Sequence, residues 1–141
     1  MPKNLRNILS WVVYIAVLAI LIYGLPKDLS AALDTDFPMA SISSGSMWPA
    51  LKKGDLVLIK GVDGKEDIEI GDVVVYKNPK GFTIHRVVSM GDTTLVTKGD
   101  ANNTKDPSIK YEDVIGKTLT INDKIFKIPA LGNVGLIAQR N

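Results

Sequence analysis

At 141 residues the chain has room for one domain and an anchor, and a net charge of +2 with no block of more than two Lys or Arg argues against a nucleic-acid partner. The absence of cysteine excludes disulfides and thiolate metal sites, and a single histidine makes a structural zinc site unexpected. Neither a metal nor a cofactor is expected.

The first element is an apolar run from Ile8 to Leu25 that carries no charge. As a helix its eighteen residues rise about 27 Å, close to the hydrocarbon thickness of a bilayer. Trp11 and Tyr23 stand near its two ends, where amphipathic rings favour the interface. Lys3 and Arg6 precede it, and Lys27, Asp28, Asp34 and Asp36 follow. The basic side stays in the cytoplasm, so the rest of the chain lies outside. The scheme is a cytoplasmic N-terminus (1–7), a transmembrane helix (8–25), a juxtamembrane linker (26–38) containing Pro26 and Pro38, and an extracytoplasmic domain (39–141). The expected location is the cell membrane, crossed once. A cleavable signal peptide with Ser30-Ala31-Ala32 at its cut is the alternative, but the apolar run is long enough to span, so an uncleaved anchor is preferred.

From Met39 onward, short β-branched runs alternate with turn residues. Leu56 to Ile59, Val73 to Tyr76, Phe82 to Met90, Thr94 to Thr97, Val114 to Ile121 and Lys124 to Ile128 read as strands. Such spacing predicts a mainly β barrel or sandwich rather than alternating strands and helices. The tail from Ile128 to Ile137 is apolar but too short to span; it packs on the domain, rests on the membrane or begins a second span.

Three polar runs interrupt this pattern. In Ser44-Gly45-Ser46-Met47-Trp48-Pro49, Gly45 permits close backbone approach and Pro49 stiffens the chain, which suits a fixed and exposed serine. Ser44 could set a hydroxyl beside a developing oxyanion together with the Ser46 amide. Met47 and Trp48 are candidates for contact with substrate or membrane. Ser-Gly-Ser is also ordinary turn composition. His85 is the only histidine, so any histidine-dependent chemistry falls to it. On a strand it shares a face with Thr83 and Val87, while Ile84, Arg86 and Val88 share the other. In Lys98-Gly99-Asp100-Ala101-Asn102-Asn103-Thr104-Lys105-Asp106, either Asp100 or Asp106 could accept the second imidazole N–H, and the other could brace the loop. A nucleophile, a base and an orienting acid are what acyl transfer by serine needs.

In this order and behind an anchor, the three runs resemble type I signal peptidases, and more narrowly their archaeal and endoplasmic-reticulum-like branch. The Ser-Gly-Ser-Met-x-Pro box is matched by Ser44 to Pro49, the Gly-Asp-hydrophobic strand by Gly71 to Tyr76, and the branch's histidine ahead of Arg-Val-Val by His85. The Lys-Gly-Asp-x-Asn box, with a second aspartate six residues on, is matched by Asp100 and Asp106. The resemblance implies Ser46 as nucleophile, His85 as general base, Asp106 as triad acid, Asp100 as an auxiliary carboxylate, and Ser44 with the Ser46 amide as oxyanion hole. It also implies a coiled β-sheet domain that cleaves signal peptides from exported preproteins, with the lipid bilayer and the secretion translocon as partners. Two rivals remain: a self-cleaving serine protease of the LexA type, and a non-catalytic anchored β module that binds secretion components.

Overall fold

The computed structural model describes residues 3–131, which fall into a helical unit ending at Ala32 and a β unit beginning at Leu33. The tail beyond Leu131, where most of the predicted apolar segment lies, is outside the described residues.

One continuous helix opens the chain. Helix α1 (Lys3–Ala19) passes through a wider, π-type turn at Ile20–Gly24 into α2 (Leu25–Leu33). There the Leu25 amide donates to the Ile20 carbonyl, five residues back rather than four. Pro26 follows at once. A proline has no N–H to give to a helical carbonyl. A π-turn is one of the few ways a helix absorbs such a mismatch without breaking. The helix therefore runs on to Leu33 rather than stopping at Leu25, and only Asp34 to Pro38 of the expected linker are irregular. From Asn4 to Leu33 it is long and apolar enough to cross a membrane, and its large apolar side chains from Leu5 to Leu25 are exposed.

At the start of the β unit Asp34 takes a left-handed backbone (φ 51°), a common way to end a helix. The Leu33 carbonyl accepts the Gly61 amide at 2.7 Å. Gly61 must be glycine for this approach, because a Cβ there would lie 1.8 Å from the Asp34 carbonyl oxygen.

The β unit is an antiparallel sheet. Its strands are β1 (Met39–Ser41), β2 (Leu56–Lys60), β3 (Val73–Asn78), β4 (Gly81–Met90), β5 (Thr94–Lys98), β6 (Ile109–Lys110) and β7 (Val114–Thr118), in the spatial order β1-β2-β7-β3-β4-β5-β6. A hairpin of β8 (Thr120–Ile121) and β9 (Lys124–Ile125) stands apart, and β10 (Lys127–Ile128) pairs with β2. All six predicted runs form strands, and the fold is mainly β behind one apolar N-terminal helix. The run from Val114 to Ile121 breaks at Leu119, whose amide turns aside to the Leu58 carbonyl at 2.9 Å. Strands β1 and β6 escape the sequence reading because two or three residues are too few to show an alternating pattern.

Strand β3 explains the unbroken Val73-Val74-Val75-Tyr76. Val73 and Val75 belong to one buried cluster with Ile42, Met47, Leu51, Val57 and Ile59. Val74 and Tyr76 belong to a second with Ile68, Val87, Leu95 and Val114. A strand covered on both faces has no polar side to show. Next to it, β4 pairs His85 with Val74 and Arg86 with Val73, which fixes the direction of the two polar side chains that matter below.

Candidate active site

The serine segment is a loop between β1 and β2 pinned by its own apolar residues. Met47 is 1% exposed and Leu51 fully buried, and the Leu51 amide donates to the Met47 carbonyl. Ser46 is therefore carried on a turn whose neighbour is core. Its carbonyl accepts the Ala101 amide at 2.9 Å, so the acidic loop is stitched directly to the serine loop. Gly99 makes room for that contact: a Cβ there would meet the Ser46 carbonyl oxygen at 2.8 Å and the Asn102 side chain at 2.6 Å.

Ser46, His85 and Asp106 form one hydrogen-bonded row. Ser46 Oγ lies 3.1 Å from His85 Nε2, and His85 Nδ1 lies 2.6 Å from Asp106 Oδ2. An ionised carboxylate only accepts, so Nδ1 carries the proton and Nε2 is left to accept from the serine hydroxyl. His85 is buried at 8% exposure. Ser44 Oγ sits 3.0 Å from Ser46 Oγ and accepts the Ser46 amide over a long 3.4 Å.

The alternative between the two aspartates resolves by strand geometry. Asp106 goes to His85. Asp100 goes instead to the other face of β4, where Arg86 grips it with two parallel bonds, Nε to Oδ1 at 2.8 Å and Nη2 to Oδ2 at 2.7 Å. A third bond runs from Arg86 Nη1 to the Gly71 carbonyl at 2.8 Å. The hydrogen bond with Asp100 holds the Arg86 guanidinium above its ordinary value, outweighing its partial burial.

Sequence reasoning missed two neighbours of Asp106. Thr97 Oγ1 donates to Asp106 Oδ2 at 2.7 Å, and Tyr76 Oη reaches the same oxygen at 3.3 Å. The Asp106 amide donates to the Thr97 carbonyl at 2.8 Å. Burial pushes the Tyr76 phenol above its ordinary value, and the charge of Asp106 adds to this against the lowering effect of its bond with Thr97. The available signal was a hydroxyl at the end of each run, which strand composition alone makes unremarkable.

Beside the row lies a groove of about 800 Å³. Phe37, Met39, Ile42, Phe82 and Ile84 give it apolar walls, and Ser44, Ser46 and His85 open into it. The expected roles of Met47 and Trp48 separate here. Met47 is core and lines the groove from within. Trp48 is exposed. Among the described residues no three acidic, histidine or cysteine side chains gather as metal ligands.

No family model matches the chain. Its sequence is, however, similar to curated proteins over nearly its whole length. It is 35% identical to the signal peptidase complex catalytic subunit SEC11 of Metarhizium robertsii, across 99% of the chain and 86% of that protein. It is 32% identical to SEC11 of Metarhizium acridum over the same shares, and 32% identical to sec11 of Sclerotinia sclerotiorum, again across 99% and 86%.

Proposed function

The chain belongs to the family of signal peptidase complex catalytic subunits, and from this premise we propose that it cleaves signal peptides from preproteins with Ser46 as nucleophile, His85 as general base and Asp106 as the acid that orients the base. It is a signal peptidase, a hydrolase of peptide bonds. The observation that carries the residue assignment is the row of two hydrogen bonds from Ser46 through His85 to Asp106.

The chemistry follows from that row. Ser46 Oγ attacks the carbonyl carbon at the cleavage site while His85 Nε2 takes the hydroxyl proton. The new C–O bond leaves a tetrahedral carbon with a charged oxygen. The Ser46 amide and the Ser44 hydroxyl face that oxygen once they give up their long mutual contact, and each donor is worth on the order of 3 kcal/mol in such a hole. Asp106 balances the imidazolium as it forms. The C–N bond then breaks as His85 returns its proton to the leaving amine, and water activated by the same imidazole hydrolyses the ester. The apolar groove is suited to an extended, apolar segment ahead of the cut.

The apolar helix is read as an anchor spanning 8–25, with residues 1–7 in the cytoplasm and the peptidase domain, 39–141, on the far side. Sharing one bilayer with its substrate raises the effective concentration of both. The fungal relatives are subunits of a complex, which favours the endoplasmic-reticulum membrane over the cell membrane expected from the sequence, and favours accessory subunits and the translocon as partners. Catalytic subunits as relatives also favour this reading over a self-cleaving regulator or a non-catalytic module.

The direct test is cleavage of a preprotein by the full-length protein in detergent or liposomes. Ser46→Ala and His85→Ala should each abolish nearly all turnover with the fold retained. Turnover near wild type in either variant overturns the assignment.

A further inference from the structure

Three adjacent strands each turn one polar side chain toward the same face: Tyr76 from β3, His85 from β4 and Thr97 from β5. Register aligns them, since Tyr76 pairs with Thr83 and Thr97 pairs with Val87. Thr83, His85 and Val87 alternate along β4 and so share one face. The three polar groups converge on a single atom, Asp106 Oδ2, at 2.6 Å from His85 Nδ1, 2.7 Å from Thr97 Oγ1 and 3.3 Å from Tyr76 Oη.

Thr97 is the most constrained of them. It is fully buried, and its hydroxyl proton has two acceptors in reach, Asp106 Oδ2 at 2.7 Å and Tyr76 Oη at 3.4 Å. The shorter bond to the charged oxygen is the stronger by far. Its carbonyl meanwhile holds the Asp106 amide. One residue thus grips the aspartate by both main chain and side chain.

We propose that Thr97 is a positioning residue for signal-peptide cleavage, locking Asp106 Oδ2 in line with His85 Nδ1 so that Nε2 stays free for the Ser46 proton. This rests on the Ser46-His85-Asp106 reading above. Without the Thr97 hydroxyl the carboxylate is free to turn about its side-chain bonds, and the imidazole loses the fixed acceptor that sets its tautomer.

The discriminating variants are Thr97→Val, which keeps shape and loses the donor, and Thr97→Ser, which keeps the donor and loses a methyl. With the full-length protein in detergent, Thr97→Val should lower kcat about ten- to a hundredfold at little-changed KM, as expected for losing a hydrogen bond to a charged acceptor that acts on the transition state. Thr97→Ser should recover most of that loss. A packing role predicts the reverse ranking, with valine tolerated and serine not. Because the chain has one histidine, a downfield imidazole N–H resonance from protein labelled with 15N-histidine has a single source. It should move or broaden in Thr97→Val and return in Thr97→Ser. Wild-type kcat with an unmoved resonance in Thr97→Val overturns the proposal, as does a folded Thr97→Ser slower than Thr97→Val. If Thr97→Val does not fold, a hundredfold loss in folded Thr97→Ser overturns it and near-wild-type turnover with an unmoved resonance supports it. The resonance reports on the histidine-aspartate pair even where Ser46→Ala still cleaves, so failure of the serine assignment is told apart from failure of the Thr97 assignment.

Discussion

His85 and Arg86 are consecutive on β4, and each is paired with an aspartate from the loop that follows β5. Their pairs nonetheless have opposite character. Arg86 and Asp100 make a two-pronged ion pair with a third bond to the Gly71 carbonyl, on the more open face, where the Arg86 side chain is 33% exposed. His85 and Asp106 make one short bond on the buried face, with the histidine side chain only 10% exposed. Guanidinium is charged at every working pH, so the first pair is permanent and fixes the loop. Imidazole gains its charge only when it takes a proton, so under the proposed mechanism the second pair is the one that works during turnover. A strand that alternates faces gives one loop both a fastening and, under the proposed mechanism, a working group.

The strongest challenge to this contrast is Asp106→Asn. The side chain keeps its shape but loses the charge that stabilises the imidazolium, and kcat should fall about ten-thousandfold as in comparable triads, with the unfolding transition little moved. Cleavage kinetics beside a thermal melt decide it. A small loss would mean that the two pairs are alike. Next comes Gly99→Ala, which drives a Cβ toward the Ser46 carbonyl and parts the two loops. A displacement of that order should cost roughly a hundredfold in kcat/KM. Unchanged kinetics would show that the loops are not mutually fixed.

Asp100→Asn should reverse the emphasis. The forked bond is partly open to solvent, so the loss in unfolding free energy should be about 1–2 kcal/mol, read by denaturant titration, with turnover reduced far less than in Asp106→Asn. An equal loss of turnover would erase the division of labour. The smallest effect is expected of Tyr76→Phe, because the bond it removes is long at 3.3 Å. Its signature is in alkali. With the folded phenol raised, the wild type keeps this contribution below the ordinary tyrosine value of about 10 and loses it as pH climbs through the folded value, since the unfolded chain ionises first. The stability gap between wild type and Tyr76→Phe should therefore shrink as pH rises above about 10.

Much of the architecture was legible because it is written in local chemistry. β-branched runs separated by turn residues marked six strands, and eighteen uncharged residues marked the helix. The helix end was not legible: Pro26 reads as a breaker, yet the helix passes through a wider turn ahead of it and reaches Leu33. Ser46 and His85 stood out as a serine between glycine and proline and as a lone imidazole. The choice between Asp100 and Asp106 could not be made from the residues alone, because it depends on which face of β4 each end of the loop meets. Thr97 and Tyr76 were hidden for a related reason. Their significance comes from a register between three strands, and registers are set by pairing across the sheet rather than by neighbours in the chain.

The bond from the Ala101 amide to the Ser46 carbonyl joins positions 46 and 101, which are separated in the chain by β2 to β5. That N–H can trade its hydrogen for deuterium only when the serine loop and the acidic loop separate. Its exchange rate is therefore a clock for dismantling of this corner of the molecule, readable at a single backbone position with no preprotein in the tube.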